Sequence, residues 1–147
     1  MSGLQVTLLV KIIYTALFWF LPLLFFPAVA ARWLGIPEPR PILYAHLLGA
    51  AFGALLVDYV YGLRDSLWGR DIRSVVVVGL VSNATACLLL VLFSGEWRQW
   101  GGSLARLYMW ASTATTFLVS VGLILFGLRG REAVARVKAD PSGRPRV

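Results

Sequence analysis

Side chains able to do chemistry are scarce in this chain and lie inside long apolar blocks. There is one cysteine, Cys87, and one histidine, His46. No intrachain disulfide, Cys-x-x-Cys pair or His-pair spacing is therefore available, and a bis-histidine haem cannot be built within one chain. No glycine-rich phosphate loop follows a strand-like segment. What remains is a set of polar groups in regions where lipid would make them costly: His46, Asp58, Tyr59 and Asn83. Asp58, in the string Asp58-Tyr59-Val60-Tyr61, reads either as a proton or ligand site between helices or as a near-interface carboxylate paired with Arg64, Arg70 or Arg73. His46 reads as a ligand to a quinone, or to a metal shared with another subunit, or as a hydrogen-bond partner of a neighbouring helix. Asn83 lies mid-block with Ser82 and Thr85, placed to bridge to another helix; its match to a glycosylation sequon has no meaning inside a span.

The elements that must position these groups follow from hydropathy. Hydrophobic residues make up 59% of the 147-residue chain and charged ones only 14%. The mean hydropathy of +0.75 is positive because the apolar residues come in blocks. Four blocks are evident, spanning about 12–34, 42–62, 74–93 and 104–128, followed by a basic tail, 129–147. Each is close to the ~20 helical residues that cross ~30 Å of hydrocarbon. None alternates with period two, and each is about twice the length of a barrel strand. Because backbone in lipid must satisfy its own hydrogen bonds, the expected class is an all-α, polytopic membrane protein. Short connections make sequential helices antiparallel neighbours, giving four transmembrane helices in an up-down-up-down bundle. Pro22 and Pro27 are expected to kink the first helix or end it early. Trp33, Trp68, Trp97 and Trp100 fall in or beside connections, as interfacial aromatic belts require, whereas Trp19 lies well inside a span.

Charge predicts orientation. With four spans, both termini and the second connection share a side, which carries ten basic residues, Lys11 and the tail included, against Arg32, Arg40, Arg98 and Arg106 on the other. The positive-inside rule then places both termini in the cytoplasm of a cell (inner) membrane. That asymmetry accounts for the net charge of +7, so nucleic acid is not an expected partner. The run ending Ala28-Val29-Ala30 has the form of a signal-peptide cleavage site, but its charge comes ten residues in and its apolar run is long and aromatic, so it reads as a span. In the tail, Arg129, Arg131, Arg136 and Lys138 are placed to meet anionic lipid or an acidic partner.

Small and hydroxyl residues mark packing faces: Gly49 and Gly53, with Ala45 a turn before them, and Ser112, Thr116 and Ser120 at intervals of four. The stretch from Phe26 to Pro37, an aromatic-Pro run ending Arg32-Trp33-Leu34-Gly35-Ile36-Pro37, resembles the first-helix exit of small bacterial DoxX-like four-helix membrane proteins. Leu47-Leu48-Gly49-Ala50, followed by Tyr61 and Arg64-Asp65, is similar to their second helix. Many such proteins carry a charged residue in helices three and four, where this chain has Asn83 and a Ser/Thr face. The resemblance implies a membrane partner of a redox enzyme. The expected function is accordingly an accessory or structural subunit packed against other membrane subunits of a larger assembly, with no catalytic residues, metal or fixed cofactor. The alternative is an enzyme or carrier for a lipophilic small molecule, a quinone or lipid, using His46, Asp58 and Tyr59.

Overall fold

The computed structural model describes residues 2–100 and 102–129. The tail residues Arg131, Arg136 and Lys138 and the side chain of Arg129 lie outside the described residues. Among the described residues four helices are long and apolar enough to cross a membrane: α1 (Gly3–Phe25), α3 (Leu43–Leu67), α4 (Arg73–Leu92) and α6 (Ser103–Leu128). Two shorter helices, α2 (Pro27–Leu34) and α5 (Ser94–Trp97), lie in the first and third connections. The protein is an all-α four-helix bundle, and no strand occurs among the described residues. α1 packs on α3 and α6, and α4 packs on α6 and α3, so α1 and α4 occupy one diagonal. Exposed leucines, valines and phenylalanines cover the outer faces of all four helices, as contact with lipid requires.

The first helix begins earlier than the apolar block suggested, at Gly3 rather than near residue 12. Ser2 and Gln5 form a capping box that fixes this start. Leu4, Leu8, Lys11 and Thr15 then form the buried stripe of α1. Lys11 is thus not a flanking charge but an interior residue, and the sidedness count becomes nine to four.

Proline shapes the rest of α1. Pro22 has no N–H, and its ring displaces the carbonyl four residues back, that of Phe18. The helix widens into a π segment over Ala16–Phe20, and the Tyr108 hydroxyl donates to the freed Phe18 carbonyl at 2.7 Å. At Phe26 the backbone leaves helical geometry (φ −134°, ψ 41°), and Pro27 opens α2. α2 stops in a Schellman motif, with Gly35 at φ 69°, Gly35 N–H donating to Arg32 O and Ile36 N–H to Ala31 O.

Packing is tight at the end of the bundle that holds the N-terminus. There Leu4, Leu8, Tyr59, Ile72, Val75, Val76, Val119 and Leu123 form one buried cluster. Glycines permit the contact: a Cβ on Gly62 would stand 2.6 Å from Val75 Cγ1, and one on Gly127 2.7 Å from Val76 Cγ1. The α3–α4 connection at this end is held by Asp65, 3.4 Å from both Arg64 and Arg70, with both guanidinium groups over the Trp68 ring. Toward the opposite end α3 and α4 diverge, and the interior opens into voids.

Candidate functional site

The site is built from one residue on each of three spans. Lys11 lies eight residues into α1, ~12 Å along its axis, and Asn83 ten residues into α4, ~15 Å along. Asn83 is therefore at mid-span, and Lys11 about a third of the way into its own. The Lys11 ammonium donates to Asn83 Oδ1 at 2.6 Å across the bundle diagonal, and it stands 5.7 Å from the centre of the Tyr59 ring on α3. Lys11 is 6% exposed, Asn83 1% and Tyr59 0%. The remaining polar atoms form a relay onto one carbonyl. Ser82 Oγ donates to Gly79 O at 3.1 Å, which leaves the Tyr59 hydroxyl to donate to Ser82 Oγ at 2.9 Å. Asn83 Nδ2 donates to Gly79 O as well, which fixes the amide with its oxygen toward Lys11. One turn along from Lys11 on the same stripe, the Thr15 hydroxyl is buried and has no partner among the described residues.

No aspartate or glutamate among the described residues forms an ion pair with Lys11. Its ammonium is met by an amide oxygen and an aromatic face, both weaker partners than a carboxylate.

Directly beyond Lys11 lies a cavity of about 420 Å³. Its floor is Lys11, Ser82 and Thr116; its walls are Trp19, Phe52, Leu55, Ala86, Leu90 and Met109; Glu96, Trp97 and Trp100 stand at the far end. Leu48 on α3, Leu89 on α4 and Phe93 just past the end of α4 line it and are each about half exposed, so the cleft communicates with the lipid-facing surface between these helices. A second cavity of about 390 Å³ shares Trp19, Leu48, Trp100 and Met109 with the first and continues past Tyr108 to Pro37 and Pro39. Trp19 separates the two, packed against Phe52 (5.4 Å between ring centres) and Tyr108 (5.7 Å), and it belongs to the π segment that Pro22 imposes.

The structure brings Tyr59 and Asn83 together, joined by Lys11, and leaves His46 and Asp58 out. His46 and Asp58 are twelve residues apart on α3, ~18 Å along its axis, so they cannot share a ligand with Tyr59 as one site. His46 Nδ1 lies 2.7 Å from Leu24 O. A carbonyl only accepts, so the ring carries its proton on Nδ1 and serves to hold the end of α1, before the break at Phe26, against α3. The histidine thus takes the helix-bonding role, and it lines neither cavity. Asp58 is not paired with Arg64 or Arg70, which engage Asp65. Because α3 runs on to Leu67, Asp58 sits nine residues, ~14 Å, inside the helix end, and its buried Oδ2 has no hydrogen-bond partner among the described residues.

Gly49 and Gly53 form the face of α3 against α1, where a Cβ on Gly49 would stand 2.6 Å from Leu24 N. Ser112, Thr116 and Ser120 are buried, yet mostly bond within α6: Thr116 to Ser112 O and Ser120 to Thr116 O. Only Ser112 bonds across, accepting from the Tyr14 hydroxyl at 2.8 Å. Trp97, expected in an interfacial belt, is 2% exposed and donates to Leu90 O, whereas Trp33 is 80% exposed. Among the described residues no group of three His, Cys, Asp or Glu side chains could hold a metal.

Fold and site together define a multi-pass α-helical membrane protein with a buried lysine at the floor of a lipid-facing cleft. No known family, curated protein or solved structure matches the chain.

Proposed function

We propose that this protein binds a lipophilic small molecule within the membrane, in the cleft above Lys11, as a carrier or as the binding component of an enzyme. The observation behind this reading is the cleft itself. A volume of about 420 Å³ falls within the ~300–1,000 Å³ of small-molecule sites, and like them it is mainly apolar with few polar groups at one end. A lysine buried well inside a span is expensive to keep in lipid and marks a functional position more often than a packing one. The ligand enters sideways from the bilayer between Leu48 and Leu89. A quinone, whose carbonyl would accept from Lys11, fits this reading without His46 or Asp58.

The accessory-subunit reading, drawn from the DoxX-like resemblance, takes second place. The scarcity of catalytic side chains, the small-residue faces and the short connections support it, but Gly49, Gly53, Ser112 and Thr116 are used inside the bundle. The orientation proposed with either reading keeps both termini in the cytoplasm of the inner membrane, because the nine-to-four basic count retains the same sign without Lys11.

The test is to fill the cleft. Ala86→Phe adds a ring to its wall and leaves Lys11, Asn83 and Tyr59 themselves unchanged. Solvent extracts of full-length protein purified in mild detergent, analysed by mass spectrometry, should contain a lipophile near equimolar with wild type and lack it in a folded Ala86→Phe. Equal recovery from both would place the ligand elsewhere or remove it.

A further inference from the structure

The cleft chemistry narrows the ligand further, and this step rests on the cleft being a binding site. We infer that its occupant is a single-chain lipophilic carboxylate, a long-chain fatty acid or similar acid, with the carboxylate on Lys11 and the chain along Trp19 and Phe52.

Charge complementarity carries the head group. Lys11 presents an ammonium with three donors, of which one meets Asn83 Oδ1, and it lines the cleft. A cation in the low-dielectric interior is stabilised most by an anion in direct contact, and among the described residues no carboxylate forms an ion pair with Lys11. Glu96 lines the same cleft but lies beyond the end of α4, at the far end from Lys11, is exposed, and forms no ion pair with it. A carboxylate head would complete the ion pair from outside the protein, and charged hydrogen bonds of that kind are the strong ones.

The number of donors decides the kind of anion. Phosphate monoesters present three acceptor oxygens and are held by several donors, usually including arginine. Here only Lys11, Ser82 and Thr116 are polar on the floor, and the last two hydroxyls already donate, to Gly79 O and to α6 carbonyls. One ammonium matches one carboxylate. The walls decide the tail. Apart from the floor and Glu96, the lining is aromatic or aliphatic, and the second cavity beyond Trp19 continues it with Phe18, Leu23 and Pro27. At about 420 Å³, toward the small end of small-molecule sites, the cleft has room for one chain rather than two.

Trp19, Trp97 and Trp100 line the cleft, so bromine on a bound chain reports occupancy by quenching them. Full-length protein in zwitterionic nanodiscs is titrated with dibrominated stearate, the matching alcohol and a matching alkyl phosphate. Partition into the bilayer gives a non-saturating background; site binding saturates. The expected result is saturable quenching by stearate at least tenfold tighter than by the alcohol or the phosphate. Lys11→Gln should reduce stearate to the level of the alcohol. Asn83→Asp supplies the ammonium with an internal carboxylate at the same position and should erase the preference in the same way, while the bundle stays folded and the alcohol still binds. Equal binding of stearate and alcohol to wild type, or a preference that survives both variants, overturns the head-group assignment and leaves the cleft reading standing. Tighter binding of the phosphate overturns the carboxylate in favour of a lipid phosphate. No saturable quenching by any probe, or saturation unaffected by Ala86→Phe, overturns the cleft itself and this inference with it.

Discussion

Replacing Gly49 by alanine tests whether the bundle depends on backbone contact between α1 and α3. The added Cβ would lie 2.6 Å from Leu24 N, 2.8 Å from Leu24 Cα and 2.9 Å from Leu23 C, where ordinary contact begins near 3.4 Å. All three atoms are backbone, so no side chain can rotate aside, and the helices must part by about 0.8 Å. Such overpacking costs about 1–3 kcal/mol. The same displacement lengthens the His46 Nδ1 to Leu24 O bond from 2.7 Å to roughly 3.5 Å, beyond useful geometry. Losing it costs about 1 kcal/mol. Alanine's better helix propensity returns up to ~1 kcal/mol, leaving a net loss of about 1–3 kcal/mol. Two glycine variants calibrate the result. At Gly53 the added Cβ meets the Phe20 ring, which can turn, so Gly53→Ala should stay near neutral; at Gly95 nothing lies within 4 Å. Unfolding in mixed micelles with increasing dodecyl sulfate, followed by tryptophan fluorescence, ranks the three. If Gly49→Ala falls within about 0.5 kcal/mol of Gly95→Ala, the spread of an ordinary surface change, the close approach of α1 and α3 is refuted.

Three further outcomes follow from the same geometry. Lys11→Met and Asn83→Leu should each destabilise the bundle, by about 1–3 kcal/mol for the lost charged hydrogen bond, while the double variant recovers part of the loss because no charge is left buried; additive losses in the same micelle titration would show that the two residues do not interact. Tyr108→Phe should cost about 1 kcal/mol by orphaning the Phe18 carbonyl, and the cost should vanish in Pro22→Ala, where a backbone N–H returns to serve it; a cost unchanged by Pro22→Ala would mean that the proline is not the cause. In a Cys87→Ser background, an impermeant thiol reagent added outside the cell should label Gln99→Cys and spare Leu67→Cys, and the opposite pattern would reverse the proposed orientation.

Much of the architecture was legible in the chain because it depends on quantities that add locally. Block length and hydropathy decide how many helices cross a membrane, and Pro22 and Pro27 mark where the first one distorts and breaks. Gly49 and Gly53 announced a close contact, since nothing but a packed helix requires that spacing. The sequence could not say which face meets which. His46 and Asp58 stood out as rare polar residues within spans, yet one is consumed by a backbone carbonyl and the other stands apart from the cleft. Lys11 stood out least, because a charge near the end of an apolar block reads as the end of the span. Its register, with Leu4, Leu8 and Thr15 at intervals of four, three and four, held the one local sign that it faces inward. What makes it a site is a partner 72 residues away on the diagonal helix and a void enclosed by four spans. Composition and periodicity act within a helix, whereas the pairing of Lys11 with Asn83 and the divergence of α3 from α4 are properties of how helices meet, and tertiary packing alone decided them.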